Sequence, residues 1–147
     1  MKRLIISAIL VLTITSCGVA PLYNWGTDIF SDSSTYESLT YNKCHNQTPK
    51  SICDLIVMYQ KLIDNPGGTR NTPPPGICAE YGYLLLNPET AGIFEENATA
   101  NQKKVFDTAN YTAAFRERGL EMLEKELTLY PESAPFLKPL LTKFQNQ

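Results

Sequence analysis

The chain is poor in the residues that enzymes most often use for proton transfer and metal binding. It has one histidine, His45, and four cysteines, with no Cys-x-x-Cys pair among them. General acid–base catalysis would depend on carboxylates alone, and these show no paired arrangement beyond ordinary solvated helix faces. Zinc-ligand spacing, a glycine-rich phosphate loop and a nucleophile elbow are all missing. We predict that the protein is not an enzyme and holds no metal or cofactor.

Basic runs are also missing. Without Lys2 and Arg3 the chain has 11 basic and 15 acidic residues, a net charge near −4. Such a surface argues against nucleic-acid binding and against electrostatic adhesion to anionic lipid. The 147 residues, 43% of them hydrophobic, fit one small domain with a modest core.

Long apolar runs are absent beyond the first 17 residues, and the run at the start is short. As a helix, Leu4 to Ile14 would rise only about 16 Å, against about 30 Å for the hydrocarbon core of a bilayer. Lys2 and Arg3 precede this run, and a small residue and Cys17 follow it. This is the layout of a secretory signal, and the cysteine after a small residue resembles the bacterial lipobox.

That resemblance implies cleavage between Ser16 and Cys17, which leaves 131 residues. Cys17 would become an N-acyl, S-diacylglyceryl cysteine, and two or three acyl chains hold a protein stably where one chain binds reversibly. Gly18 in place of Asp implies the periplasmic face of the outer membrane. The alternatives are a cleaved signal without lipid and a chance apolar start.

Residues 17–48 are predicted to form an aromatic, mostly irregular segment. Tyr23 and Trp25, the only tryptophan, lie just past the predicted anchor. They could fold back onto the core of the domain, or meet the bilayer interface or a partner. Residues 31–34 are typical of a turn or helix cap, and the pattern over residues 36–41 leaves a short helix and an extended piece open.

Residues 49–147 are predicted to form a helical domain. The first helix spans about Pro49–Asp64, with Thr48 as its cap, Pro49 at the first position and one apolar face. A second helix covers about Ile77–Leu86, residues 87–109 form an inserted loop, and a third helix covers about 110–130. A last apolar face follows over residues 136–144, with Pro139 inside it. The fold class is mainly α: a helix hairpin plus a third helix, behind an irregular N-terminal segment.

The three cysteines left after acylation of Cys17 allow three pairings in an oxidising compartment. We favour a disulfide between Cys44 and Cys53, with Cys78 as a small core residue. Cys44, His45 and Cys53 as metal ligands are the less favoured alternative. Asn97 fits a glycan-acceptor pattern, and we leave its modification open.

Three ordered motifs, Tyr23–Gly26, Pro74–Leu85 and Glu124–Ser133, resemble an uncharacterised family of small bacterial lipoproteins, classed only as a domain of unknown function. Genes of that family often neighbour genes for a curli-channel-like lipoprotein of the CsgG type, which implies other envelope lipoproteins as partners. The likeness covers most of residues 17–145. It departs at about 87–112, where family members close a tight helix hairpin.

The same region resembles a single tetratricopeptide repeat. Gly82 and Leu85 stand where the repeat has a small residue and, three positions later, an aromatic one. Gly119, Leu123 and Pro131 match its small, bulky and proline positions. Gly119 would also permit a close approach of the second helix. At least three repeats normally build an independent solenoid, so the likeness implies an architecture and not a ligand.

We therefore predict an outer-membrane-anchored periplasmic lipoprotein that acts as a non-catalytic interaction or assembly component. The alternative is a lipid-anchored binding module for a small apolar or glycan ligand. The predicted contact residues are the aromatic ones near the anchor and on the second helix: Tyr23, Trp25, Tyr36, Tyr81 and Tyr83.

Overall fold

Seven α-helices account for most of residues 20–26 and 34–146, which are the residues that the computed structural model describes. In chain order the helices are α1 (Thr35–Asn46), α2 (Pro49–Asp64), α3 (Ile77–Leu86), α4 (Thr90–Asn97), α5 (Ala100–Lys103), α6 (Tyr111–Leu129) and, after a 3-10 turn (Pro131–Ser133), α7 (Ala134–Gln145). The described part contains no strand, so the mainly α prediction is confirmed. The predicted signal peptide, its cleavage site at Ser16 and the acylated Cys17 lie outside the described residues.

Helix α2 begins and ends where the sequence predicts. The Thr48 hydroxyl accepts a hydrogen bond from the Ser51 amide, and Pro49 occupies the first turn, where no amide hydrogen is needed. Helix α3 also has its predicted bounds. In both cases the residues that cannot continue a helix mark the end reliably.

Helix α1 resolves the ambiguity over residues 36–41 in favour of a helix. Ser34 caps it in a reciprocal arrangement, because the Ser34 hydroxyl accepts from the Glu37 amide and the Glu37 carboxylate accepts from the Ser34 amide. The prediction of a mostly irregular segment up to residue 48 is therefore wrong for residues 35–46. Helix α1 has no buried residue, which explains why its sequence shows no clear apolar stripe.

Helices α3 and α6 form the predicted hairpin and run antiparallel. Gly76, before α3, lies next to Glu126 near the end of α6, and Gly82 lies against Gly119 in the middle of both helices. A Cβ atom added to Gly82 would lie 2.7 Å from the Gly119 carbonyl oxygen. The two glycines thus allow the backbones to approach more closely than any side chain would permit.

The prediction of an inserted loop over residues 87–109 is wrong. Two helices, α4 and α5, lie within this range, and the Phe94 side chain is fully buried. Its ring centroid lies 5.3–5.5 Å from those of Phe106, Tyr111 and Phe115. The insert contributes Ala91 and Phe94 to the main core, so it is a structural part of the domain and not a loop.

The segment that precedes α1 is fixed to the domain at both ends. The Thr69 amide donates to the Pro21 carbonyl at 3.0 Å and the Arg70 amide to the Leu22 carbonyl at 3.1 Å. At the other end the Thr35 amide donates to the Gly26 carbonyl at 3.1 Å. In the ranges that the structure covers, no helix has both the length and the apolar character of a membrane span.

Glu126 is a buried carboxylate that caps α3 from a distant part of the chain. Its Oε1 atom accepts from the Gly76 amide at 2.7 Å, and Oε2 has no hydrogen-bond partner among the described residues. Gly76 carries no side chain that could cap α3 itself. Burial raises the pKa of Glu126, and the amides of Gly76, Ala79 and Cys78 act in the opposite direction and only partly offset it.

We expect Glu126→Gln to stabilise the protein relative to wild type increasingly as pH rises above about 4.5, the ordinary pKa of a glutamate. Because the folded chain holds the Glu126 proton more tightly than the unfolded chain, the wild type loses stability as pH rises through this window. Glutamine keeps an acceptor oxygen for Gly76 without the charge. Urea unfolding of both proteins at pH 5 and pH 7 measures the effect, since the other carboxylates cancel in the difference. A difference that does not change with pH would contradict the assignment.

Candidate functional site

One groove on the outside of α1, α2 and α3 is lined by both aromatic and polar side chains. Its volume is about 350 Å³. Each helix contributes one face to the groove. The lining residues of α1 recur every three to four positions, and those of α2 stand one turn apart, so each set lies on one side of its helix. The lining residues are Tyr36, Thr40, Lys43, Cys44, Leu55, Tyr59, Glu80, Tyr83, Leu84 and Asn87.

The Glu80 carboxylate is held in position by two tyrosines from different helices. The Tyr36 hydroxyl, on α1, lies 3.0 Å from both Glu80 oxygens, and the Tyr59 hydroxyl, on α2, donates to Oε2 at 2.6 Å. Hydrogen bonds to an ionised acceptor are stronger than neutral ones. Glu80 is exposed as a residue, so its carboxylate is both fixed and open to the groove.

Burial and the neighbouring carboxylate keep both tyrosines protonated. Burial, followed by the Glu80 charge, raises the pKa of Tyr36 to about 12. The same two causes raise the pKa of Tyr59, which is more deeply buried. Both hydroxyls are therefore hydrogen-bond donors across the physiological pH range, and they hold the Glu80 carboxylate in place.

Aromatic rings support this site from behind. Trp25 lies 5.1 Å from Tyr36, Tyr36 lies 6.4 Å from Tyr59, and Tyr59 lies 5.7 Å from Tyr81, centroid to centroid. Contacts of this kind contribute about 0.5–1.5 kcal/mol each beyond area burial. The row extends from the N-terminal segment into the core and holds Tyr36 in place.

The five predicted contact residues do not form one surface. Tyr36 and Tyr83 both line the groove, and Tyr83 is 57% exposed. The prediction for Tyr81 is wrong, because this residue is fully buried and its hydroxyl donates to Gln60 at 2.9 Å. Trp25 is half-buried and packs onto the core of its own domain, which was the first of the two interpretations. Tyr23 lies elsewhere, beside Arg70.

Sequence reasoning missed Tyr59 and Glu80, the two residues at the centre of the groove. Glu80 stands three positions before Tyr83 and thus on the same side of α3, which is a signal that could have placed it beside a predicted contact residue. The Tyr59 hydroxyl gives no such signal, because an aromatic residue in an apolar stripe is normally a core residue. Its polar end reaches Glu80 only through the packing of α2 on α3.

The predicted disulfide between Cys44 and Cys53 is absent from the structure, where Cys44, Cys53 and Cys78 are all unbridged. Cys44 is exposed at the rim of the groove. Cys53 is buried on another side of α2, with its sulfur 4.0 Å from the Ile93 carbonyl oxygen of α4. It stands two positions, or about 200° around the helix, from Leu55, which lines the groove. Cys78 is a buried core residue, as predicted.

The same geometry separates the three alternative metal ligands. His45 stacks on the Tyr41 ring at 5.6 Å on exposed α1, whereas Cys53 points into the core. Among the described residues no three histidine, cysteine, aspartate or glutamate side chains are grouped closely enough to hold a metal ion.

We expect one fast-reacting thiol in the folded protein, that of Cys44, when the Cys17 sulfur is acylated or replaced by serine. Cys53 and Cys78 are buried, which raises the pKa of the Cys53 thiol. Burial also raises the pKa of the Cys78 thiol, to about 11, so both thiols react slowly. Titration with a chromogenic disulfide reagent should count one thiol before denaturation and three after it. A count of one thiol after denaturation would instead show that two of these three cysteines form a disulfide.

Comparison of the chain with protein-family models, with curated proteins and with solved structures finds no significant match. The resemblance to small bacterial lipoproteins thus stays a prediction that depends on the three sequence motifs.

Proposed function

We propose that this protein is a lipid-anchored periplasmic component of the outer membrane that binds another envelope protein through the groove formed by α1, α2 and α3. Acylation of Cys17 would place it on the membrane, and its role would be one of interaction or assembly, without catalysis. The sequence motif at Ser16–Cys17 supports the anchor. By resemblance, the partner would be another envelope lipoprotein, such as one of the CsgG type.

The fixed Glu80 carboxylate between tyrosine rings carries the proposal for the groove. A carboxylate can accept about four hydrogen bonds, and the tyrosine hydroxyls use only part of this capacity. The faces of aromatic rings attract cations and the flat guanidinium group. A Lys or Arg side chain of a partner would find a charge partner and an aromatic wall here. Because Tyr36 and Tyr59 are already held by packing, binding would order few additional side chains.

Replacement of Tyr83 by serine tests this proposal, with Tyr41→Ser as the matched control. Both tyrosines are largely exposed, at 57% and 67%, but only Tyr83 lines the groove. In a pull-down from cross-linked cells we expect wild type and Tyr41→Ser to recover the same envelope protein. Recovery with Tyr83→Ser should fall several-fold. Equal recovery of the envelope protein with both variants, or no recovery above background with wild type, would contradict the proposal.

A small ligand is the second candidate, because the groove volume of about 350 Å³ falls at the lower end of the range for ligand pockets, about 300–1,000 Å³. A ligand present at a hundred times its Kd would stabilise the folded state by about 2.7 kcal/mol. A thermal-shift screen with envelope lipids and muropeptides, repeated with Glu80→Gln, separates this candidate from the first. A shift that Glu80→Gln abolishes would favour the small ligand.

A further inference from the structure

The N-terminal end of the described domain is fixed to the loop between α2 and α3. Two backbone hydrogen bonds join Pro21 and Leu22 to Thr69 and Arg70. A Cβ atom added to Gly68 would lie only 2.6 Å from the Leu22 carbonyl oxygen, so the two segments are in close contact. The position of Pro21 on the domain surface is thereby set by the fold and not by the path of the residues before it.

The distance from Cys17 to this fixed point is short. Pro21 stands four positions after Cys17, and a fully extended chain spans about 3.3–3.6 Å per position, or about 14 Å in total. A domain of this length is about 35 Å across. If acyl chains hold Cys17 at the headgroups of a leaflet, Pro21 must lie within about 14 Å of that level. The domain therefore has no room to turn its opposite end toward the membrane.

The surface around this fixed point suits a phospholipid leaflet. Leu22 is an exposed apolar side chain, at 59%, beside the exposed residues Thr69, Arg70 and Asn71. Arg70 lies over the Tyr23 ring at 5.7 Å and donates to its hydroxyl at 3.2 Å, which keeps the cation at this surface. Residues 65–76 contain no carboxylate. An apolar side chain, a tyrosine and an arginine side by side are typical of residues at a membrane interface.

We propose that the surface formed by Leu22, Thr69, Arg70 and Asn71 lies against the headgroups of the leaflet that anchors Cys17. This inference depends on the proposed acylation of Cys17. The orientation follows from the short connection, and the exposed leucine and arginine make the contact with lipid acyl chains and phosphates.

Fluorescence quenching in vesicles tests the orientation. The full lipidated chain with Cys44→Ser, which removes the exposed thiol, receives either Thr69→Cys or Glu96→Cys and a thiol-reactive fluorophore. Thr69 precedes Arg70, which donates to the Tyr23 hydroxyl, and Tyr23 lies beside Tyr130, just after the end of α6. Glu96 lies in α4, which packs at the start of α6, about 28 Å away along that helix.

The vesicles consist of phosphatidylethanolamine and phosphatidylglycerol with a headgroup-spin-labelled phospholipid as quencher. We expect at least threefold stronger quenching at Thr69→Cys than at Glu96→Cys. Equal quenching at the two positions, or stronger quenching at Glu96→Cys, would overturn the orientation.

Two controls separate the causes. Labelling of the same protein with radioactive palmitate, lost in Cys17→Ala, tests acylation: a chain without label contradicts the proposed anchor, whereas a labelled chain with equal quenching contradicts only the orientation. Insertion of ten Gly/Ser residues after Gly18 should reduce the quenching at Thr69→Cys at least twofold. Unchanged quenching would overturn the short connection as its cause.

Discussion

Phe94→Ala is expected to lower the free energy of unfolding by about 3–5 kcal/mol, the usual cost of removing a large aromatic side chain from a core. Phe94 is fully buried in α4 and contacts the rings of Phe106, Tyr111 and Phe115. Truncation leaves a cavity that these rings cannot fill without leaving their other partners. Urea unfolding of the Cys17→Ser chain, followed by circular dichroism, measures the loss.

Phe136→Ala is the matched control for this experiment. Phe136 lies in α7 and is 79% exposed, so its truncation should change stability by no more than about 0.5 kcal/mol. A comparable loss for both variants, or a loss below about 1 kcal/mol for Phe94→Ala, would show that the insert over residues 87–109 is not part of the core.

Gly82→Ala is expected to cost about 1–3 kcal/mol, even though alanine is the better helix former. The new methyl group would lie 2.7 Å from the Gly119 carbonyl oxygen and 3.1 Å from the Leu123 side chain. A backbone carbonyl cannot move aside as a flexible side chain can. The two helices must separate, and the contacts along their whole interface weaken.

Gly92→Ala provides the opposite expectation in the same assay. A Cβ atom at Gly92, an exposed position of α4, meets no atom within 4 Å, so alanine should stabilise the protein by about 0.5–1 kcal/mol through helix propensity alone. If both glycine variants were stabilised, the close crossing of α3 and α6 would be wrong.

Local signals explain which helices the sequence predicts correctly. Thr48 and Pro49 fix the start of α2, and Asn87 and Pro88 fix the end of α3, because capping and the missing proline amide act on the nearest turn alone. The close approach of α3 to Gly119 could be predicted, because a glycine within the apolar stripe of a helix leaves room for a neighbouring helix. These inferences need no knowledge of the rest of the fold.

Helices α1 and α4 carry weaker signals. No residue of α1 is buried, so its sequence carries no amphipathic pattern and only the Ser34–Glu37 capping box marks its start. In α4 only Thr90, Ala91 and Phe94 are buried, and Gly92 lowers its helix propensity. Tertiary contacts of Phe94 hold this helix in place, and a sequence window does not contain them.

The site itself depends on which side of a helix faces a neighbour. Tyr81 and Tyr83 are two positions apart and thus point about 200° apart around α3, so one enters the core and the other lines the groove. Residue type alone does not show which of the two tyrosines is buried. The pairing of Glu80 with tyrosines from α1 and α2 arises only after three helices have packed.

A photo-cross-linking amino acid placed at position 83 of the full chain in living cells tests the central claim most directly, with position 41 as the control. If the groove binds an envelope protein, irradiation should link the Tyr83 position to one partner, and Glu80→Ala should reduce the yield several-fold, while position 41 gives no such product. A chain that gives no product at position 83, or the same products at both positions, would contradict the proposed recognition site.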